Sequence, residues 1–262
     1  MNLTNAEHRE EKAFQYILGV QFFSGDAREA VRRMYDGGLL VVPAAPALTA
    51  LTTSAGYREA LTHADLAIAD SGLMVMVWNL LQPKPIQKLS GLAYLRELLK
   101  SPDLRQPHAT FWVMADQASV TRNVGWLQQE GFPVSVEDTY IAPRYGDSVA
   151  DKILLDHLRN RRPRHVIVTV GGGTQERLGL YLKMNLDYRP AIHCIGAAIA
   201  FLSGNQVGIP VWADQAYLGW LFRCISNPFS YVPRYWSARK LVSLLVKYRE
   251  RLPVDERMCS PD

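Results

Sequence analysis

Cysteine is scarce in this chain of 262 residues: Cys194, Cys224 and Cys259 make an odd number, spaced far apart. That pattern argues against a disulfide framework or a zinc site and fits a reducing compartment. No run of 18 apolar residues occurs, so nothing reads as a membrane span. The stretch from Met1 to Lys12 is polar, carries both charge signs and lacks an apolar h-region, so it is no signal peptide and a cytoplasmic location is expected. The histidines (His8, His63, His108, His157, His165 and His193) are scattered, without HxxxH or CxxC partners, and no protein-held metal is expected. The P-loop pattern G-x-x-x-x-G-K-S/T is absent, and G-x-G-x-x-G fails because Gly171 and Gly173 are followed by Glu176. No G-x-S-x-G nucleophile turn occurs either, and no Ser/His/Asp constellation is evident.

What is present is a strand, a glycine loop and a helix start. His165 to Val170 is mostly β-branched and apolar, as expected of a strand buried on both faces of a parallel sheet. Gly171-Gly172-Gly173 follows at once, and then Thr174-Gln175-Glu176 opens a helical pattern. Glycines at the carboxyl end of such a strand let backbone approach a ligand, and the next helix's free N–H groups can face phosphate. The plain alternative is a turn that only closes a tight connection.

Strands and helices alternate along the chain. Tyr16 to Phe23 reads as a first strand, Asp26 to Asp36 as a helix ended by Gly37-Gly38, and Leu39 to Val42 as a short strand. Ala47 to His63 is broadly helical, with some turn character near Thr52 to Gly56, and Leu66 to Ala69 is a strand followed by Asp70-Ser71-Gly72 and a very apolar helix through Leu81. Leu92 to Lys100 is helical, Thr110 to Ala115 a strand, Val120 to Gln129 a helix, Pro133 to Glu137 a strand and Ser148 to Asn160 a helix. After the glycine-loop unit, Ala191 to Ile195 is the last strand. This alternation predicts an α/β fold, a Rossmann-like, mainly parallel sheet flanked by helices. Beyond about residue 205 it stops: a turn at Gly208 to Trp212 leads to helices over Ala213 to Ser226 and Ser237 to Leu252. The expected division is an α/β catalytic core over 1–204 and a helical appendage over 205–262.

Net charge is +4 but uneven. Trp220 to Leu252 holds seven basic residues (Arg223, Arg234, Arg239, Lys240, Lys247, Arg249, Arg251) against Glu250, a window of +6 interleaved with aromatics. Such a patch suits anionic lipid, phosphate or nucleic acid, unless it is the solvated face of a packed helix.

Asp70 ends a buried strand before two small residues. There it can take a proton from an attacking hydroxyl, or merely cap the helix that begins near Gly72. Glu176 is favourable in a helix's first turn on electrostatic grounds alone, whereas Gln175 has no such reason to be there and is the better candidate for ligand contact.

Set in order, these pieces resemble the bacterial WecG/TagA/CpsF glycosyltransferases (glycosyltransferase family 26) over roughly 16–236. Tyr57 to Asp70 looks like the family's "REAL…ADL…xDG" segment, and Ser90-Gly91 with Leu95 like its next motif. Gly172 to Glu176 looks like "G-x-P-K-Q-E" and Ile195 to Gly204 like "GxxFDFLAG". Pro210, Trp212, Trp220 to Arg223, Pro228 and Arg234-Tyr235 fit its C-terminal pattern.

The resemblance implies metal-independent, cofactor-free, inverting transfer from a nucleotide-sugar, UDP-linked in characterised relatives, to a polyprenyl-diphosphate-linked acceptor at the inner face of the cell membrane. Products of relatives include teichoic acid linkages, enterobacterial common antigen and exopolysaccharide. It implies Asp70 as general base; Ser90, Gly91, Gly171, Gly172, Gly173, Thr174, Gln175 and Glu176 at the substrate and nucleotide; and Arg223 and Arg234 at the diphosphate. The tail is expected on the anionic membrane surface, with no nucleic acid partner, and relatives self-associate, for which the apolar helix Leu73 to Leu81 is a candidate contact unless it is simply a buried core helix. The chain departs from the pattern where "T-P-N" reads Val42-Pro43-Ala44, "DG" reads Asp70-Ser71, "FDF" reads Ile199-Ala200-Phe201 and the "EW" glutamate is Gly219. Those changes leave two readings: a transferase of altered specificity, or a non-catalytic UDP- or sugar-binding member of a polysaccharide assembly or regulatory complex. A Rossmann-type oxidoreductase is disfavoured by the missing glycine fingerprint.

Overall fold

The computed structural model describes residues 13–204 and 239–254. Its sheet has eight strands: β1 (Phe14–Ile17), β2 (Val20–Phe23), β3 (Gly38–Val41), β4 (Leu66–Ile68), β5 (Thr110–Met114), β6 (Thr139–Ile141), β7 (His165–Val168) and β8 (Ala191–Cys194). Their spatial order is β1-β2-β4-β3-β8-β7-β5-β6, antiparallel at β1–β2 and parallel elsewhere. The expected α/β class and mainly parallel sheet are what the chain adopts.

Period-two alternation sorts the strand side chains into two cores. Leu39, Val41, Val166, Val168 and Ile192 enter one; Leu40, Val42, Ile167 and Ala191 enter the other. Helices cover both faces. The first core is closed by α2 (Ala45–Leu48), α3 (Ala55–Thr62), α4 (Gly72–Leu81), α7 (Lys152–Arg161), α8 (Thr174–Asn185) and α9 (Arg239–Tyr248). The second is closed by α1 (Ala27–Arg33), α5 (Gly91–Leu98) and α6 (Gln117–Gln129). Both faces of the sheet are therefore dry, which is why its central strands are apolar throughout.

Three elements differ from the sequence expectation. Tyr16 to Phe23 is a hairpin, not one strand: Leu18 (φ 52°) and Gly19 (φ 75°) form a left-handed two-residue turn that pairs Ile17 with Val20. Leu18 is fully buried, so the turn hides inside an apolar run. It is held by the distant C-terminal segment, since Leu18 N donates to Arg249 O (2.7 Å) and Gly19 N to Glu250 O (2.8 Å). Pro133 to Glu137 is not a strand either. Asp138 accepts from both the N–H and the hydroxyl of Ser135, tightening the chain into a 3-10 turn over Val136–Asp138, and β6 starts only after it. Ala47 to His63 breaks where turn character is expected, but more fully, into α2, a 3-10 turn at Thr49–Thr52 and α3, which Ser54 caps by accepting from Tyr57 N. The turn expected at 208–212 and the helix at 213–226 lie outside the described residues.

Helix α8 lies unusually close to the sheet. A Cβ built on Gly179 would stand 2.6 Å from both Cys194 Sγ and Leu39 Cδ1. Replacing Gly179 with valine is expected to destabilise the fold by about 3 kcal/mol or more, measured as the shift in urea midpoint at unchanged slope. A loss under about 0.5 kcal/mol would mean that α8 can move off the sheet freely.

Candidate active site

Adjacent strands β4, β3, β8 and β7 deliver their carboxyl ends side by side, and the sequence candidates are distributed along that edge. Next to them, β5 passes to β6 on one side while β7 passes to β8 on the other. The crevice at β5–β7 is therefore a topological switch point, the position where open α/β sheets bind ligands. The glycine loop borders it.

Asp70 stands just beyond β4, half-buried. It does not cap α4. That role belongs to Ser71, whose hydroxyl accepts from Met74 N at 3.1 Å. The Asp70 carboxylate instead accepts from Gly91 N at 3.2 Å, at the start of α5. Ser90 is buried as the N-cap of α5 and accepts from Ala93 N at 3.1 Å. A Cβ on Gly91 would meet Val42 Cγ1 at 3.3 Å and Ile195 O at 3.5 Å. Gly91 thus lets α5 start against the ends of β3 and β8, and Asp70, Ser90 and Gly91 form one cluster.

The glycine loop is open in front and braced behind. Among the described residues, a Cβ on Gly171 or Gly173 would meet nothing within 4 Å, and one on Gly172 only Ala47 Cβ at 3.9 Å. Gly173 sits at φ 88°, which favours glycine; no described residue packs closely enough on Gly171 or Gly172 to require that they be small. Behind the loop, Glu176 is fully buried, accepting from Gly173 N (2.6 Å) and from Gln175 Nε2 (3.0 Å). Gln175, 2% exposed, accepts through Oε1 from Gly196 N at 2.7 Å. The pair therefore ties the loop after β7 to the loop after β8, with its polar ends turned into protein. Burial pushes the Glu176 carboxyl above its ordinary range, against the hydrogen bonds from Gln175 and Gly173. Burial, and then the nearby Glu176, likewise pushes up the Tyr57 phenol and the Cys194 thiol.

Arg177, which nothing in the sequence singled out, completes the brace. Its Nε donates to Gly173 O (2.9 Å), and its Nη1 to Gly146 O (2.9 Å) and Asp147 O (2.6 Å). Among the described residues, no three His, Cys, Asp or Glu side chains are grouped as metal ligands.

The model of the family described as "Glycosyl transferase WecG/TagA/CpsF family" matches residues 15–254. The chain belongs to this glycosyltransferase family. Compared with curated proteins one by one, it matches none. In this WecG/TagA/CpsF chain, the replaced positions at the end of β3 are apolar: Val42 is buried, and Ala44 begins α2 without a side-chain cap. Arg223 and Arg234 lie outside the described residues. Among those described, no helix is long and apolar enough to cross a membrane.

Proposed function

We propose that the chain is an inverting glycosyltransferase that moves a sugar from a UDP-linked donor to a polyprenyl-diphosphate-linked acceptor in cell-surface polysaccharide synthesis. Asp70 takes the proton of the acceptor hydroxyl as that oxygen attacks the anomeric carbon. The bond from that carbon to the donor diphosphate breaks, and UDP leaves with the electron pair. The observation that carries this reading is that Ser71, not Asp70, caps α4. The Asp70 carboxylate is thereby not committed to the helix that follows it; it accepts from Gly91 N of α5 and has the basicity that a proton acceptor at a strand end needs.

The spacing supports the same reading. Asp70 and the glycine loop follow β4 and β7, three strand intervals apart, or roughly 14 Å. That span accommodates the transferred sugar reaching from the glycine loop to Asp70. The backbone of Gly171 to Thr174 would face the donor, while Gln175 and Glu176 hold that backbone in place. Arg223 and Arg234 would neutralise diphosphate charge.

The division into a 1–204 core and a 205–262 appendage belongs to the proposal, as do attachment of the basic tail to the inner membrane surface and self-association through α4. Within α4, Met76 and Leu80 are exposed while Met74, Val75 and Trp78 are buried. The non-catalytic reading draws on the apolar Val42 and Ala44, which offer an acceptor sugar no side-chain hydrogen bond.

Isothermal titration with UDP, with NAD as control, tests the donor assignment. Saturable heat with UDP and none with NAD is expected. Binding of another nucleoside diphosphate in place of UDP would change the donor base, and silence toward all of them would favour the non-catalytic reading.

A further inference from the structure

Two loops flank the crevice at β5–β7: the glycine loop after β7, and residues 142–147 after β6. In the sheet β5 lies between β7 and β6, and Ala115 to Ala118, which follow β5, are exposed; the space between the two loops above the end of β5 is here called the trough. A single guanidinium joins those loops. Arg177 reaches Gly173 O on one and Gly146 O and Asp147 O on the other, with its Cδ 3.4 Å from the position of a Cβ on Gly56. All three acceptors are backbone carbonyls, so the bridge fixes loop geometry whatever side chains the loops carry. The 142–151 segment is anchored a second time at its far end. There the Asp151 carboxylate accepts from Tyr140 (3.0 Å), Tyr145 (2.6 Å) and Leu154 N (2.9 Å). Tyr145 thus fixes the chain just before residue 146, and Arg177 ties residues 146–147 to the glycine loop.

We infer that Arg177 is a positioning residue that sets the width of the trough, and that the trough holds the nucleoside diphosphate part of the donor. The inference rests on the donor reading above. Charge-assisted bonds to three carbonyls hold both walls in place before the ligand arrives, so the ordering cost is met in folding and not in binding. A lysine supplies one point charge and reaches one wall at a time, which makes it a poor replacement.

The experiment compares wild type, Arg177→Ala and Arg177→Lys by amide hydrogen exchange and by calorimetry with UDP, GDP and dTDP. In Arg177→Ala, amides of 142–151 are expected to exchange faster and the Kd of the bound nucleotide to rise about tenfold, while kcat at saturating donor changes by less than about threefold. Arg177→Lys is expected to fall between the two. Unchanged exchange in 142–151 would overturn the clamp, whatever binds. Faster exchange at unchanged Kd would overturn its link to the donor. A wild-type protein silent toward all three nucleotides would overturn the donor reading, leaving the exchange data to judge the clamp alone.

Discussion

Asp70→Asn is expected to lower sugar transfer by roughly two to four orders of magnitude while leaving nucleotide binding and Tm unchanged. The substitution keeps the side chain's size and an oxygen that can accept from Gly91 N, so the start of α5 is preserved. It leaves Ser71 to cap α4 as before. What it removes is the capacity to accept a proton from the acceptor hydroxyl. Asp70→Ala differs usefully, because it also strips Gly91 N of its partner and should lower Tm as well as activity. The measurement is initial transfer rate at saturating donor, beside calorimetry and a melt. An Asp70→Asn protein that keeps more than about a tenth of wild-type activity would fall below what general-base catalysis supplies and would remove Asp70 from the chemistry.

Acid is expected to destabilise the fold steeply in a window that carboxylates do not explain. His165 and His193 are both buried and joined in a chain. Tyr94 Oη lies 2.9 Å from His193 Nδ1, and His193 Nε2 lies 3.1 Å from His165 Nδ1. His165 Nε2 is buried with no hydrogen-bond partner among the described residues. Burial first, and the neighbouring Arg164 charge second, lower His165 to about 4, with Asp103 opposing. Burial and then His165 push His193 well below its ordinary value.

In the unfolded chain each imidazole takes up its proton near 6.5. Below that pH the unfolded state therefore binds more protons than the folded one, and stability falls as pH drops from about 6.5 toward about 4. By pH 5 each buried histidine would cost about 2 kcal/mol, or together on the order of 10 °C in Tm. The lowered carboxyls Asp116 and Asp138 lose their contribution only below about pH 4. Glu176, raised by burial, takes up its proton in the folded state first and so opposes the loss as pH falls, and the difference between wild type and a histidine variant isolates the histidine contribution. Melts of wild type and His165→Leu between about pH 4.5 and about pH 6.5 provide the check. Parallel slopes for the two proteins would dismiss the buried pair as the cause.

The features legible in the sequence were those with a local signature. The β-branched run at 165–170 gave a strand, the glycines gave a loop, and Gly72 to Leu81 gave a helix with those bounds. What was not legible depends on partners far along the chain. Whether Asp70 or Ser71 caps α4 is decided by one residue of register, and the Asp70 partner, Gly91, lies in the next helix. Gln175 looked like a ligand contact because a polar side chain at a loop lip has that chemistry. Its engagement with Gly196 requires knowing that β8 lies beside β7. Nor does alternation of elements say that β8, the last of the described strands, sits at the centre, between β3 and β7. The hairpin at Leu18-Gly19 escaped notice because its turn residues carry no Asn-Gly or Asp-Gly signal.

That hairpin also sets the order of assembly during synthesis. Its turn donates to carbonyls of Arg249 and Glu250, and α9 buries Leu241 and Leu245 in the same core that contains Ile17 and Leu18. A nascent chain emerges from the ribosome N-terminus first, so this hairpin waits with its turn unsatisfied until the segment around Arg249 and Glu250 has been made. Cutting the chain before Arg239 to strip its basic surface would at the same time unseat this hairpin. Loss of liposome binding in such a truncation would therefore report on folding as much as on charge. Exchanging exposed Lys240, Lys247 and Arg251 for glutamine leaves that closure in place.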